Sequence, residues 1–137
     1  DFLANNLGQV YNWNFQIYPA LSPIIFNPLH NGTYTTTSLP TDFTIQFNKL
    51  ISGVGTAKLY KGSTLVEIIS FSTSSNVLTF TPTFSLVNDT YNIVIDANLV
   101  SSGSELWQGI TFGNWTFDIA GGQYSNTDYD NNDYLTN

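Results

Sequence analysis

A chain of 137 residues has the size of one domain, and 42% hydrophobic residues are enough to build a core without staples. Only 9% of residues are charged, and Lys49, Lys58 and Lys61, with no arginine, stand against ten acids for a net charge of -7. That balance excludes the Lys and Arg clusters that hold nucleic-acid phosphates or an anionic membrane surface, and the absence of cysteine removes disulfides, thiolate metal sites and cysteine nucleophiles together.

Polarity comes instead from Asn, Ser, Thr and Tyr, which hydrate a surface without making it ionic, as in secreted and cell-surface β proteins. No apolar run approaches the ~20 residues of a membrane span. The sequence opens on Asp1, contains no Met and shows no signal peptide, so it reads as a mature or excised piece.

Short apolar runs alternate with turn signals almost throughout. Tyr11 to Tyr18 puts Trp13, Phe15 and Ile17 on one face and Asn12, Asn14 and Gln16 on the other. Pro23 to Asn27 is a short apolar run bounded by prolines, as expected of an edge strand. Asp42 to Asn48 alternates Phe43, Ile45 and Phe47 inward. Thr56 to Lys61 and Leu65 to Phe71 flank a hairpin turn at Lys61-Gly62-Ser63-Thr64. Val77 to Thr81 is stopped by Pro82, Ser85 to Asn88 has room for a single turn, and Thr90 to Asp96 alternates Tyr91, Ile93 and Ile95. Ile110 to Ile119 closes the set with Trp115, Phe117 and Ile119 on one face. No segment carries the 3.6-residue period and caps of a helix. Seven strands in about a hundred residues predict an all-β, Ig-like antiparallel β-sandwich over residues 23–119. Residues 120–137 turn polar and acidic after Gly121-Gly122 and read as a tail or linker.

The two ends of the chain match. Asn12-Trp13-Asn14-Phe15-Gln16-Ile17 repeats as Asn114-Trp115-Thr116-Phe117-Asp118-Ile119, at an offset of 102 residues. Ala4-Asn5 and Ala97-Asn98 precede the two copies, the second with a longer intervening loop. Repetition at one domain length points to arrays. Residues 1–18 then read as an extra strand, and its apolar face needs cover. Three homes fit: an upstream repeat, the strand's own domain, or a neighbouring subunit that it enters by strand addition, where backbone bonds give affinity and alternate side chains fill pockets.

The stretch from Pro23 to Ile119 resembles the bacterial S-layer-type (SbsA-like) Ig-like domains found in tandem-repeat surface proteins. The residues that carry the likeness are Pro23-Ile24-Ile25-Phe26-Asn27-Pro28 with Gly32, Phe43 through Lys49, and Gly55 before Ala57-Lys58-Leu59-Tyr60. Val77 through Pro82, Leu86, Asp89 through Ile95 and the closing Trp115-Thr116-Phe117 complete it. The departures are the long loop Val100 to Gly109, with Trp107, and the acidic tail. The resemblance implies spacers and adhesive units of surface arrays, on bacterial or archaeal cells, and no catalytic residues.

The chemistry-bearing residues are few. His30 is the single histidine, and no nucleophile-elbow pattern accompanies it. One histidine without cysteine falls short of a zinc site. Glu67, Glu105 and Asp96 sit on separate predicted elements, with nothing to pair them as glycosidase carboxylates. Asp128, Asp130, Asn132 and Asp133 begin like a calcium loop but lack its glycine and final glutamate, so calcium is a weak expectation, with Asp89 and Asp96 as further oxygen donors between domains. Sequons at Asn31, Asn88 and Asn114 offer N-glycosylation, in about the number chance gives. Trp107, outside the strands, is either a buried loop anchor or a stacking platform for a sugar.

The sequence therefore predicts a non-enzymatic, extracellular, cell-surface module, structural or adhesive, whose partners are copies of itself or neighbouring Ig-like repeats, and glycans. Trp13, Phe15 and Ile17 are the expected subunit-joining side chains. The alternative is a carbohydrate-binding or accessory module of a secreted enzyme.

Overall fold

A computed structural model of the chain describes residues 19–121. The expected strand Tyr11 to Tyr18 and the tail from 122 onward lie outside the described residues. What is described is all-β: eleven strands take up about half of it, and it contains no helix. In chain order they are β1 (Pro23–Asn27), β2 (Gly32–Tyr34), β3 (Phe43–Phe47), β4 (Ser52–Gly53), β5 (Gly55–Lys61) and β6 (Thr64–Ser74). β7 (Val77–Phe80), β8 (Asp89–Ile95), β9 (Val100–Ser102), β10 (Glu105–Leu106) and β11 (Thr116–Ile119) follow.

Eight of these form one large mixed sheet in the order β1-β3-β7-β6-β5-β8-β11-β2, and β10-β9-β4 form a small one. The β11–β2 pair is parallel and the other pairs are antiparallel. Laid flat, eight strands would span about 34 Å between first and last. Yet the two edge strands, β1 and β2, are joined by residues 28–31 alone, which reach at most about 18 Å. The sheet must therefore curl. β6 makes the turn: residues up to Phe71 pair with β5, and Ser72 to Ser74 pair with β7.

Curling encloses one face. Phe43, Ile45 and Phe47 of β3, Leu59 of β5, Leu78 of β7, Tyr91 and Ile93 of β8, and Trp115 and Phe117 are completely buried there. Their two-residue spacing is the period that points alternate side chains to one side of a sheet. Trp115 is the hub. Its ring meets Phe26 edge-on at 5.0 Å and Phe80 at 5.8 Å, and its Nε1–H donates to the Pro28 carbonyl at 2.8 Å. Tyr91 stacks on Phe117, while its hydroxyl accepts from the Val87 amide and donates to the Val87 carbonyl.

The seven expected strands are present as β1, β3, β5, β6, β7, β8 and β11, and β1 does lie at an edge. Three differences have local causes. Ile110 to Ile119 is not one strand: Gly113, at φ 94°, and the Asn114-to-Thr111 backbone bond turn the chain, so only Thr116 onward pairs continuously. The stretch Val100 to Gly109 is a short hairpin, β9–β10, rather than an open loop. Ser85 to Asn88 forms no helical turn, and the Tyr91 hydroxyl occupies the Val87 backbone there.

Candidate interaction site at the N-terminal pole

β8 gives the molecule an axis. Its first residue, Asp89, pairs with Ile119 at the end of β11, and its last, Ile95, bridges to Ile110. The β9–β10 hairpin follows β8 directly, which places Glu105 at the Ile95 end. The Leu21 amide donates to the Glu105 carboxylate at 2.6 Å. The described chain therefore begins at the Ile95 pole and ends at the Asp89 pole, with the seven residues of β8, about 23 Å, between them.

The N-terminal pole is built to hold the incoming chain. Asn48, just past β3, takes it by three bonds. Its Nδ2 donates to the Ala20 carbonyl at 2.8 Å, its Oδ1 accepts from the Ser22 amide at 2.9 Å, and its own amide donates to the Ser22 carbonyl at 3.1 Å. Residues 20–22 thus run on in line with β1, beyond the last β1–β3 pair. Glu105 also accepts from Lys49 Nζ at 2.8 Å. The Lys49 bond and then the Leu21 amide hold its carboxyl below the usual glutamate range, against a smaller opposing effect of desolvation.

Beside this clamp a hollow of about 460 Å³ opens between β1 and the segment 107–114. Pro23, Phe26, Trp107 and Ile110 give it apolar walls, and Gln108, Thr111 and Asn114 a polar rim. Gly109 makes the bend possible. At φ 79° it brings its backbone so close to Ile95 that a Cβ would stand 2.2 Å from the Ile95 carbonyl oxygen. Trp107 is 3% exposed and meets Phe47 edge-on at 4.9 Å, so its indole belongs to the core and contributes only to the wall of the hollow. A sugar platform would present an open ring face.

The three sequon asparagines are exposed. Asn31 stands in the left-handed region at φ 63° and accepts from the Thr116 hydroxyl, Asn88 precedes β8, and Asn114 donates to the Thr111 hydroxyl at 2.6 Å on the rim of the hollow. His30 Nδ1 accepts from the Thr116 amide at 3.1 Å. The carboxylates go separate ways. Glu67 accepts from the Thr83 amide and hydroxyl and from the Phe84 amide. Its desolvation opposes ionisation, but those bonds together outweigh it and hold the carboxyl below its ordinary value. Asp96 pairs with Lys58 at 3.3 Å, and Asp89 lies at the other end of β8. Among the described residues no three His, Asp or Glu side chains gather as metal ligands, and no helix is long and apolar enough to cross a membrane.

Trp13, Phe15 and Ile17, like Asp128, Asp130, Asn132 and Asp133, lie outside the described residues. Sequence reasoning did not single out Asn48 as a clamp. The signal was present in an amide side chain at a strand end, one residue before Lys49, but a polar residue after a strand marks most turns. Neither a scan against models of known protein families nor a search of curated proteins gives a match.

Proposed function

We propose that this chain is one link of an extracellular surface array or filament, a non-catalytic Ig-like β-sandwich whose task is mechanical and adhesive. The observation that carries the proposal is that the first and last described residues lie at opposite poles of the domain. A domain that takes its chain in at one pole and releases it at the other transmits tension along its length. The clamp of Asn48 and Glu105 fixes the incoming chain where that tension would act.

The Ig-like assignment rests on strand order. β1-β3-β7-β6 corresponds to the A-B-E-D order of one Ig sheet and β5-β8-β11 to the C-F-G order of the other, with β6 shared between them. Tyr91, at the start of the F-equivalent strand, bonds the backbone four residues upstream as a tyrosine corner does. The S-layer-type family is the reading that this order and the closing Trp-x-Phe favour. The sparsely charged, hydroxyl- and amide-rich composition suits a cell surface.

Neighbouring copies join through the strand Tyr11 to Tyr18, whose Trp13, Phe15 and Ile17 supply the buried contacts. Replacing Phe15 and Ile17 together with Asp tests this. Assembly, followed by sedimentation, is lost while the circular dichroism of the domain is kept. Assemblies that survive the double change refute the proposal.

A further inference from the structure

We infer that the hollow between β1 and residues 107–114 is an acceptor site for one extended strand, and that its occupant is residues 11–18 of a second copy of this chain. The inference rests on the array reading above and adds where the copies join.

An open edge comes first. β1 pairs with β3 on one side and has no strand partner on the other among the described residues. An unpaired strand edge is a template for another strand. This one is not blunted by charge: Ile24 and Ile25 are 56% and 50% exposed, and β1 contains no charged residue.

The space beside it has a structural cause. β8 runs from Asp89 to Ile95, but β11 covers only Asp89 to Asn92. Above that point the Ile93 amide still donates to the Trp115 carbonyl at 2.9 Å, but the closing segment leaves the ladder at the turn Thr111–Asn114, whose Gly113 amide donates to Asn92 Oδ1, and meets β8 in the ladder again at the Ile95–Ile110 bridge. The hollow of about 460 Å³ lies between β1 and that segment, lined by the apolar Pro23, Phe26, Trp107 and Ile110 and the polar Gln108, Thr111 and Asn114.

The occupant's chemistry fits that section. Residues 12–17 alternate Trp, Phe and Ile with Asn, Asn and Gln. One side of the strand matches Pro23, Phe26, Trp107 and Ile110, and the other matches water and the rim amides. The chain already demonstrates what this pattern does beside a sheet. The repeated copy, Trp115, Phe117 and Ile119, is buried to 0%, 0% and 2% exposure.

Direction selects a second copy over the chain's own hollow. Asn48 and Glu105 hold residues 20–22 in line with β1 as it leaves the pole. To lie in its own hollow, the chain would have to reverse at once beyond Ala20 and run back antiparallel to β1. Continuing outward, it meets the next copy.

The chain has no cysteine, so introduced thiols are the only ones present. Full-length chains carrying Asn14→Cys or Gln16→Cys are mixed with chains carrying Gln108→Cys, Thr111→Cys or Asn114→Cys, and oxidised under assembly conditions. Cα atoms must come within about 7 Å to be bridged, so a disulfide locates the strand. The expected result is a reducible dimer in at least one pairing, severalfold above pairings with Ser70→Cys on exposed β6. Filaments with no such dimer in any pairing overturn the acceptor site and leave the array reading standing. A chain carrying both thiols that closes on itself despite an excess of unaltered chains also overturns it. Chains that never assemble overturn the array reading and this inference with it.

Discussion

Trp115→Phe isolates the link between the closing strand and the β1–β2 corner. The phenyl ring retains much of the packing against Phe26, Phe43 and Phe80, but the indole N–H is lost. The Pro28 carbonyl, bonded to it at 2.8 Å and buried, is then left without its partner. An orphaned buried acceptor costs about 1–3 kcal/mol. The smaller ring leaves a void at a site with 0% exposure, which adds about 1 kcal/mol. Together the loss is about 2–4 kcal/mol, a large part of the ~5–15 kcal/mol that stabilises a domain. In urea, with a slope of ~1–3 kcal/mol/M, the midpoint falls by roughly 1–2 M at unchanged slope. Unfolding is followed by far-ultraviolet circular dichroism, since Trp13 and Trp107 complicate fluorescence. A loss below about 1 kcal/mol would refute the argument that this indole ties the two sheet edges together.

Tyr91→Phe keeps the ring stacked on Phe117 but removes both bonds to Val87, and lowers stability by about 1–2 kcal/mol in the same titration. Gly109→Ala drives a Cβ to 2.2 Å from the Ile95 carbonyl oxygen at positive φ, so it costs about 2 kcal/mol or more and lowers the melting temperature. Acid acts through Glu67 and Glu105, whose folded-state pKa values are depressed. Their contribution is present above the ordinary value of 4.5 and is lost as pH falls through the folded-state values, so the melting temperature drops there and Glu67→Gln flattens the drop.

The parts of the fold legible in the sequence are those where alternation is long enough to have a phase. Phe43-x-Ile45-x-Phe47 and Tyr91-x-Ile93-x-Ile95 each specify a buried face, and all six side chains lie inside. The two- and three-residue strands β2, β4, β9 and β10 are too short for any period, and tertiary context makes them strands. The broken closing strand was partly legible: Gly113-Asn114 is a turn dipeptide, but the regular alternation after it masked the signal. At the candidate site, the sequence showed that Trp13, Phe15 and Ile17 need cover. It did not show the hollow, because Pro23, Phe26, Trp107 and Ile110 are brought together only by the curl of the sheet and the bend at Gly109.

Electron microscopy of the purified 137-residue chain, with light scattering on the same sample, separates a self-assembling module from an isolated domain. The expected result is filaments with an axial repeat on the order of one domain, about 40 Å from the eleven residues of β6 and the turns at its ends. A monomer that stays monomeric at every concentration would contradict it.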